Sequence, residues 1–371
     1  MKNIKTMAGK GNFMDNKEKL GLIVSKVKSP DKKYYVLAQE KLDNLTKPLG
    51  SLGRLEELAK QIVGISGNLE PVLDKKYIVT MAADHGVVDE GISAYPQEVT
   101  LQMVYNFLRG GAGINVLSKH IGAEVVVVDM GVASDLEKSP SLINKKIGYG
   151  TKNMAKGAAM TPEEAVASII AGIEIVEEYA KKGAKIIGTG DMGIGNTTSS
   201  SAIVSVIAGV DASMVTGYGA GLDEKGLANK IEVIKKAISL NKPNPNDGLD
   251  VLAKVGGFEI GGIAGLVIGC AYMKIPVVID GFISGAGAMI AQSICPASKE
   301  YMIASHQSVE KGHKVMMDKL GLKPLFNLDM RLGEGTGAAL GIGLAEASAK
   351  ILNEMATFKE AGVSKKKQLK W

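Results

Sequence analysis

The side chains best suited to chemistry fall in four segments. GTGDMGIGNTTSSSA (188–202) follows a short β-branched run and leads into the apolar stretch AIVSVIAGV. Gly193 and Gly195 allow close approach to the backbone. The N–H groups of 194–198 (Ile194, Gly195, Asn196, Thr197, Thr198) sit where a helix should begin, and the hydroxyls of Thr197, Thr198 and Ser199 add donors. That is an anion site, opened by Asp191 and Met192. It is neither a GxxxxGK[ST] loop nor GxGxxG in order. TGYGAGLDEKGLANK (216–230) repeats the design, with Gly219 in the turn and Lys230 two to three helical turns further on. A phosphate monoester held between the two loops, with Lys230 as counter-charge, satisfies both. The plainer reading of Lys230 is a solvated helix lysine.

The third segment, ADHGVVDEGISAYPQEVTLQMVYNFLRGGAGIN (83–115), carries Ser93, Tyr95, Pro96, Gln102 and Met103 on a loop and helix. Apolar side chains with one amide suit a flat heteroaromatic ligand, although Tyr95 and Met103 also read as core packing. Asp84-His85 begins like a metal pair, but no third ligand stands at a suitable spacing, so His85 reads as a hydrogen-bonded structural histidine. The fourth, MRLGEGTGAALGIGLAEA (330–347), holds Glu334 between Gly333 and Gly335, with no other ionisable side chain from 332 to 345. A carboxylate in such surroundings has a raised pKa and suits a general base. As a lone acid between glycines it also reads as a turn or cap residue. No nucleophile triad emerges: there is no GxSxG, and His306 and His313 lie near Ser305 and Ser308 without a partner pattern.

These segments need a scaffold. YIVTMAAD (77–84), EVVVVDMG (124–131), KIIGTGD (185–191), PVVIDG (276–281), YMIAS (301–305) and LFNLD (325–329) read as strands, the last least clearly. Near-continuous apolar strands joined by long crossovers predict an α/β fold, a parallel sheet with helices on both faces. Asp84, Asp129, Asp191, Asp280 and Asp329 fall at or just past strand ends, where open α/β sheets bind ligands, and together predict an acidic mouth. Each also reads as a helix cap or turn former. The first seventy residues read as helices interrupted once, by TKPLGSLGRLE (46–56), with Leu55, Leu58, Ile62 and Ile65 on one face. A Gly/Ala-rich helix over 338–358 should return to pack on them.

Among 371 residues, 44 Lys and Arg face 39 Asp and Glu, and the surplus lies at the ends. Residues 1–41 hold ten Lys against four acids, 364–371 four Lys against none, and 42–363 carry 30 basic and 35 acidic residues. Solvated basic tails fit this better than a groove for nucleic acid. The uncharged stretches 192–210 and 281–298 are too interrupted for a membrane span, and the N-terminus lacks the apolar region of a secretory signal. Two cysteines, Cys270 and Cys295, sit in apolar sequence and should be buried, in a reducing cytoplasmic setting.

Taken in order, LTKPLGSLGRLE, ADHGV with SAYPQEVTLQM, GTGDMGIGNTTSSSA, GGFEIGGIAGL, PVVIDGFISGAGA, YMIASHQSVEKGH, and RLGEGTGAAL through MATFKEAGVS resemble the nicotinate-nucleotide:dimethylbenzimidazole phosphoribosyltransferase family over roughly residues 40–364. The resemblance implies transfer of 5-phosphoribosyl from nicotinate mononucleotide to a benzimidazole, giving α-ribazole 5′-phosphate and nicotinate, the step that makes the lower ligand of cobalamin. It implies a homodimer and a Rossmann-like sheet domain (76–335) with a small helical domain from both chain ends (1–75 and 336–371). Glu334 matches the family's catalytic base. Asp191, Met192, Gly193, Gly219, Lys230 and Ser308 fall in segments lining the nucleotide site, and Tyr95, Gln102 and Leu332 near the base site. Asp191 stands where some members are expected to carry Glu, one methylene longer.

That chemistry is economical. The leaving pyridine nitrogen is cationic in the nucleotide and neutral afterwards, so departure needs neither a general acid nor a metal. No cofactor or metal site is expected, and the partners are small molecules rather than nucleic acid. One base takes the proton from the second nitrogen of the attacking benzimidazole, and the phosphate is a remote handle that positions C1′. Attack from the opposite face inverts C1′ from β to α. Two other readings stand beside this one. A nicotinamide-dependent oxidoreductase should show GxGxxG after its first strand, where this chain has DHGVVDEG. A non-catalytic nucleotide-binding protein would keep the phosphate loop without a base such as Glu334.

Overall fold

The computed structural model describes residues 15–364. Six parallel strands, β1 (Lys76–Ala83), β2 (Glu124–Gly131), β3 (Leu142–Asn144), β4 (Ile186–Met192), β5 (Val277–Ile279) and β6 (Met302–Ala304), form one sheet in the order β3-β2-β1-β4-β5-β6. The expected strand at 325–329 is absent: Phe326 makes only an isolated bridge to His306. The sixth strand is the edge strand β3, only partly buried and without an apolar run to mark it in the sequence. The chain runs outward through β1, β2 and β3, then crosses back to lay β4 on the other side of β1. This reversal opens a crevice beyond the carboxyl ends of β1 and β4, where ligands bind in doubly wound sheets. There Met81 pairs with Asp191 and Ala82 with Met192.

Both faces are covered, as continuous apolar strands require. Val79, Met81, Val128, Met130, Ile187 and Val277 point into a large core shared with the helices Pro162–Lys181, Phe258–Met273 and Phe282–Ile294. Alternate residues Ile78, Ala82, Val127, Ile186 and Val278 meet the helices Glu98–Arg109, Gly113–His120 and Thr336–Glu354 on the other face. This is the period-two alternation of strand side chains. The helix Pro162–Lys181 begins in a capping box: Thr161 Oγ1 accepts from the Glu164 N–H, and the Glu164 carboxylate accepts from the Thr161 N–H.

The N-terminal segment forms three helices, Asn16–Lys26, Lys32–Asn44 and Arg54–Ser66, with an additional break around Pro30, which disfavours helix at the residue before it. Leu58, Ile62 and Ile65 are buried as the spacing predicts, and Leu55 is half-buried. The basic surplus of residues 15–41 is therefore on packed helices, not a tail: Leu20 and Ile23 are buried, and Lys19 pairs with Glu174 at 2.9 Å. The tail readings for 1–14 and 365–371 lie outside the described residues. The helix Thr336–Glu354 does return: Leu352 joins Ala38, Leu42, Leu45, Ala59 and Val63 in a small third cluster, and Leu45 bridges Thr357. Both cysteines are free and buried. No described helix is long and apolar enough to cross a membrane.

Candidate active site

Glu334 sits on a turn that only a special backbone can make. Gly333, Glu334 and Gly335 all have positive φ, at 82°, 63° and 104°, and the left-handed region is strained for a residue with a side chain. Neighbouring strands hold the turn. Thr80 Oγ1 donates to the Glu334 carbonyl at 2.9 Å. A Cβ on Gly190 would fall 2.3 Å from that carbonyl, so β4 must present bare backbone there. From the end of β5, the Asp280 carboxylate accepts from the N–H groups of Gly335, Gly337 and Ala338 at 3.2, 2.7 and 3.0 Å, capping the helix Thr336–Glu354 from outside its own sequence. The Glu334 carboxylate accepts from the Ile114 N–H at 3.0 Å, at the start of the helix Gly113–His120. It is 6% exposed. Burial pushes its pKa up, against backbone donors at Ile114 and Gly113 that pull it down.

Asp191, at the end of β4, lies beside this turn: a Cβ on Gly333 would stand 3.3 Å from Asp191 Oδ2. Oδ2 accepts from Asn196 Nδ2 at 3.1 Å, whereas Oδ1 is buried without a partner among the described residues. Burial, then the nearby Asp280 and Glu259, hold its pKa well above the usual carboxylate range. Burial likewise raises Asp280 to about 7 despite its backbone donors. The acidic mouth of five strand-end residues is thus mostly structural. Asp84 accepts from the Ala133 N–H, Asp129 from the N–H groups of Gly131 and Val132, and Asp329 is exposed. Only Asp191 lines the cavity.

The glycine loop leads into a helix at the expected place, Asn196–Ala208, with Gly195 at φ 94° before it. Several of its donors are already engaged. The N–H groups of Ile194, Asn196 and Thr198 are taken by Thr100 Oγ1, the Gly193 carbonyl and the Gly195 carbonyl, removing three of the donors expected for a ligand. Thr198 and Ser199 are buried away from the cavity, and Thr197 lines it. Lys230 is no solvated lysine. It is 1% exposed, and its Nζ donates to Thr197 Oγ1 at 2.7 Å, linking the two glycine segments. Burial lowers its pKa to about 8, opposed by Glu310.

Behind the loop lies a sealed network. His85 Nε2 is 2.7 Å from Glu259 Oε1, and Nδ1 is 3.0 Å from Ser199 Oγ. This Ser-His-Glu constellation has nucleophile-triad connectivity, yet His85 and Glu259 are fully buried and Ser199 is 1% exposed, so no substrate reaches it. The histidine is structural, with its role set by Glu259, a residue from a distant helix that local spacing gave no sign of. Burial works against its charge, but Glu259 and Asp84 outweigh it and hold the imidazole pKa up. No group of three or more His, Cys, Asp or Glu able to hold a metal occurs among the described residues.

One cavity of about 600 Å³ gathers these parts. It is lined by Glu334; by Asp191, Met192, Gly193, Ile194, Gly195, Asn196, Thr197, Gly219, Lys230 and Ser308; and by Ser93, Tyr95, Met103 and Leu332. Gln102 is the exception: it faces solvent one position round the helix from Met103 and is not in the lining. The sequence reading missed Phe282, His306, Glu310 and Arg331, which also line it. His306 and Glu310 lay within a segment already noted, YMIASHQSVEKGH, but only the end of β6 brings them over the site. Tyr95 and Leu332 are 52% and 61% exposed, so their end of the cavity is the open one.

Comparison with known proteins agrees with this geometry. A family model described as Phosphoribosyltransferase (DBI_PRT) matches residues 27–363. A protein from Geobacter metallireducens named nicotinate-nucleotide--dimethylbenzimidazole phosphoribosyltransferase is 57% identical over 342 residues, covering 92% of this chain and 97% of its own length. One of the same name from Roseiflexus sp. is 58% identical over 329 residues, covering 89% and 93%. The crystal structure of the Thermus thermophilus protein of that name superposes with a TM-score of 0.86 at 43% identity, covering 91% of this chain and all of that one. The chain belongs to this phosphoribosyltransferase family.

Proposed function

We propose that this protein transfers 5-phosphoribosyl from nicotinate mononucleotide to dimethylbenzimidazole or a related base, with Glu334 as the general base. The observation that carries the reading is one crevice with an anion-binding end, Lys230 with Thr197, and a buried carboxylate, Glu334, beneath an open apolar mouth. The phosphate binds between 193–198 and 216–221, with Lys230 as counter-charge. C1′ then lies near Glu334, and the base enters against Tyr95, Met103 and Leu332. Burial raises the Glu334 pKa and makes it a better proton acceptor than an ordinary glutamate. The leaving nitrogen carries its own positive charge, so one base suffices, and attack from the opposite face inverts C1′.

In the same reading the chain works as a cytoplasmic homodimer, with a catalytic body over 76–335 and a small helical unit drawn from the described residues on either side of it. The small cluster shared by Leu42, Val63 and Leu352 supports that unit. The oxidoreductase alternative is disfavoured because β1 runs into the 3-10 helix Gly86–Glu90 rather than a dinucleotide turn. The test is a mass-spectrometric assay of nicotinate mononucleotide with a panel of benzimidazoles, purines and phenols. Release of nicotinate with an α-ribosyl phosphate product is expected. Nucleotide binding without turnover on any base would favour the non-catalytic alternative.

A further inference from the structure

His306 stands at the end of β6 and lines the cavity, yet the chemistry above makes no use of it. Its hydrogen bonds define what it offers. Ser305 Oγ has a single proton and donates it to the Asp280 carbonyl at 3.0 Å. The same oxygen lies 3.0 Å from His306 Nδ1, so that contact must be Nδ1–H donating to Ser305. Nε2 therefore carries a lone pair, and it has no partner among the described residues. His313 next to it is wired the opposite way: its Nδ1 accepts from the Ser308 N–H at 3.1 Å, and its Nε2 is sealed off without a partner. The rings of His313, His306 and Phe326 stack at 6.2 and 6.0 Å, fixing the orientation. On the remaining side a Cβ on Gly337 would fall 1.9 Å from His306 Nδ1, so the helix Thr336–Glu354 closes over it only because that residue is glycine.

We infer that His306 Nε2 accepts a hydrogen bond from a sugar hydroxyl of the bound nucleotide and is a specificity-determining residue for the ribosyl group. A lone-pair acceptor selects a donor, which excludes the phosphate and the nicotinate carboxylate. The remaining donors are the ribosyl hydroxyls and the N–H of the attacking base. Sheet order decides between them. Of the base-side residues, Ser93, Tyr95 and Met103 follow β1, three strands from β6 in the order β1-β4-β5-β6, about 14 Å at the usual strand spacing, while Leu332 alone comes from the chain beyond β6. From β6 the chain continues through Ser308 to Glu310, which faces Lys230. His306 is thus on the sugar-phosphate side. Burial lowers its pKa to about 4, which keeps the acceptor unprotonated at neutral pH.

This inference rests on the proposed nucleotide placement, so both are tested together. Wild type, His306→Phe and His306→Gln are assayed for kcat/KM with nicotinate mononucleotide and its 2′-deoxy and 3′-deoxy analogues. Phe keeps the ring stack without an acceptor, and Gln retains one. In the wild type, one analogue should be about tenfold poorer than the parent, as for a lost hydrogen bond in a site built to make it. That ratio should fall below threefold in His306→Phe and persist in His306→Gln. If the Phe variant does not fold, His306→Leu takes its place. A wild type indifferent to both hydroxyls, or an unchanged ratio in the acceptor-free variant, overturns the role of His306. Lys230→Ala runs in parallel: unchanged nucleotide affinity there would overturn the placement itself, whatever the His306 variants do.

Discussion

The two ends of the crevice respond to burial with opposite signs. At the anion end, Lys230 is shielded from water and its ammonium is weakened, to a pKa of about 8. At the reacting end Asp191, Asp280 and Glu334 are shielded as well, and all three have raised pKa values. Desolvation disfavours whichever form is charged, so one fold makes an ammonium more willing to lose a proton and a carboxylate more willing to take one. The consequences diverge on binding. In the proposed placement a phosphate would supply the counter-charge that favours the Lys230 ammonium, whereas no full positive charge would stay beside Glu334 once the pyridine leaves.

The reacting end can be broken with the largest effect. Glu334→Gln keeps the shape and a hydrogen bond to the N–H of Ile114 but loses basicity, so turnover should fall by roughly 10²–10⁴ while nicotinate mononucleotide still binds. Because burial raises this carboxyl, the acid limb of the wild-type pH–rate profile should lie above the ordinary glutamate pKa of 4.5, with activity lost as pH falls through it. The Gln variant should lack that limb. Near-normal turnover by a folded variant would move the base to Asp191.

Behind the anion end, the His85–Glu259 pair should matter to stability. His85→Ala leaves the fully buried Glu259 without its imidazole and should cost about 3–5 kcal/mol in urea unfolding. A loss under ~1 kcal/mol, typical of a surface pair, would show that the contact does not stabilise the fold.

Legibility followed the same divide. The anion loop was readable because its signal is local: glycines, hydroxyls and a helix start within fifteen residues. The strands of β1, β2 and β4 were readable because both faces are buried, leaving continuous apolar runs. The three-residue edge strand β3 had no such run, and LFNLD had the composition of a strand without a place in the sheet. What could not be read was any group whose role depends on a partner far along the chain. Asp280 caps a helix 55 residues away, and His85 is held by Glu259 across 174 residues. For this reason three of the strand-end acids that looked like a mouth, Asp84, Asp129 and Asp280, proved to hold backbone N–H groups instead. Gln102 stands outside the cavity lining for another reason, since Gln102 and Met103 are neighbours in sequence but about 100° apart on a helix.

The anion end is tested directly by Lys230→Ala, which should weaken nucleotide binding by about 1.5–3 kcal/mol, the range for a charge-assisted contact, with little change in affinity for the base. Calorimetric titration of each ligand measures both. Equal weakening of the two ligands would mean that the lysine shapes the cavity rather than holding the phosphate.

The smallest expected effect sharpens the contrast most, because it reads the lowered pKa of Lys230 itself. Only the ammonium form attracts a phosphate, and the free enzyme loses it as pH rises through about 8. Bound phosphate stabilises the ammonium, so its pKa is higher in the complex and binding takes up a proton above pH 8. Nucleotide affinity should therefore fall by roughly tenfold between pH 7 and 9, the change in ammonium fraction for a group that titrates near 8. The phosphate does not confuse the signal, since its second ionisation, near pH 6, is complete across this range. Lys230→Arg provides the control, because a guanidinium does not titrate below pH 12. That variant should bind with an affinity independent of pH from 7 to 9, even if its longer fork binds less well overall. A wild-type affinity equally flat over this range would mean that Lys230 keeps its proton in the free enzyme, with Glu310 outweighing burial, and that the two ends do not respond to burial as opposites.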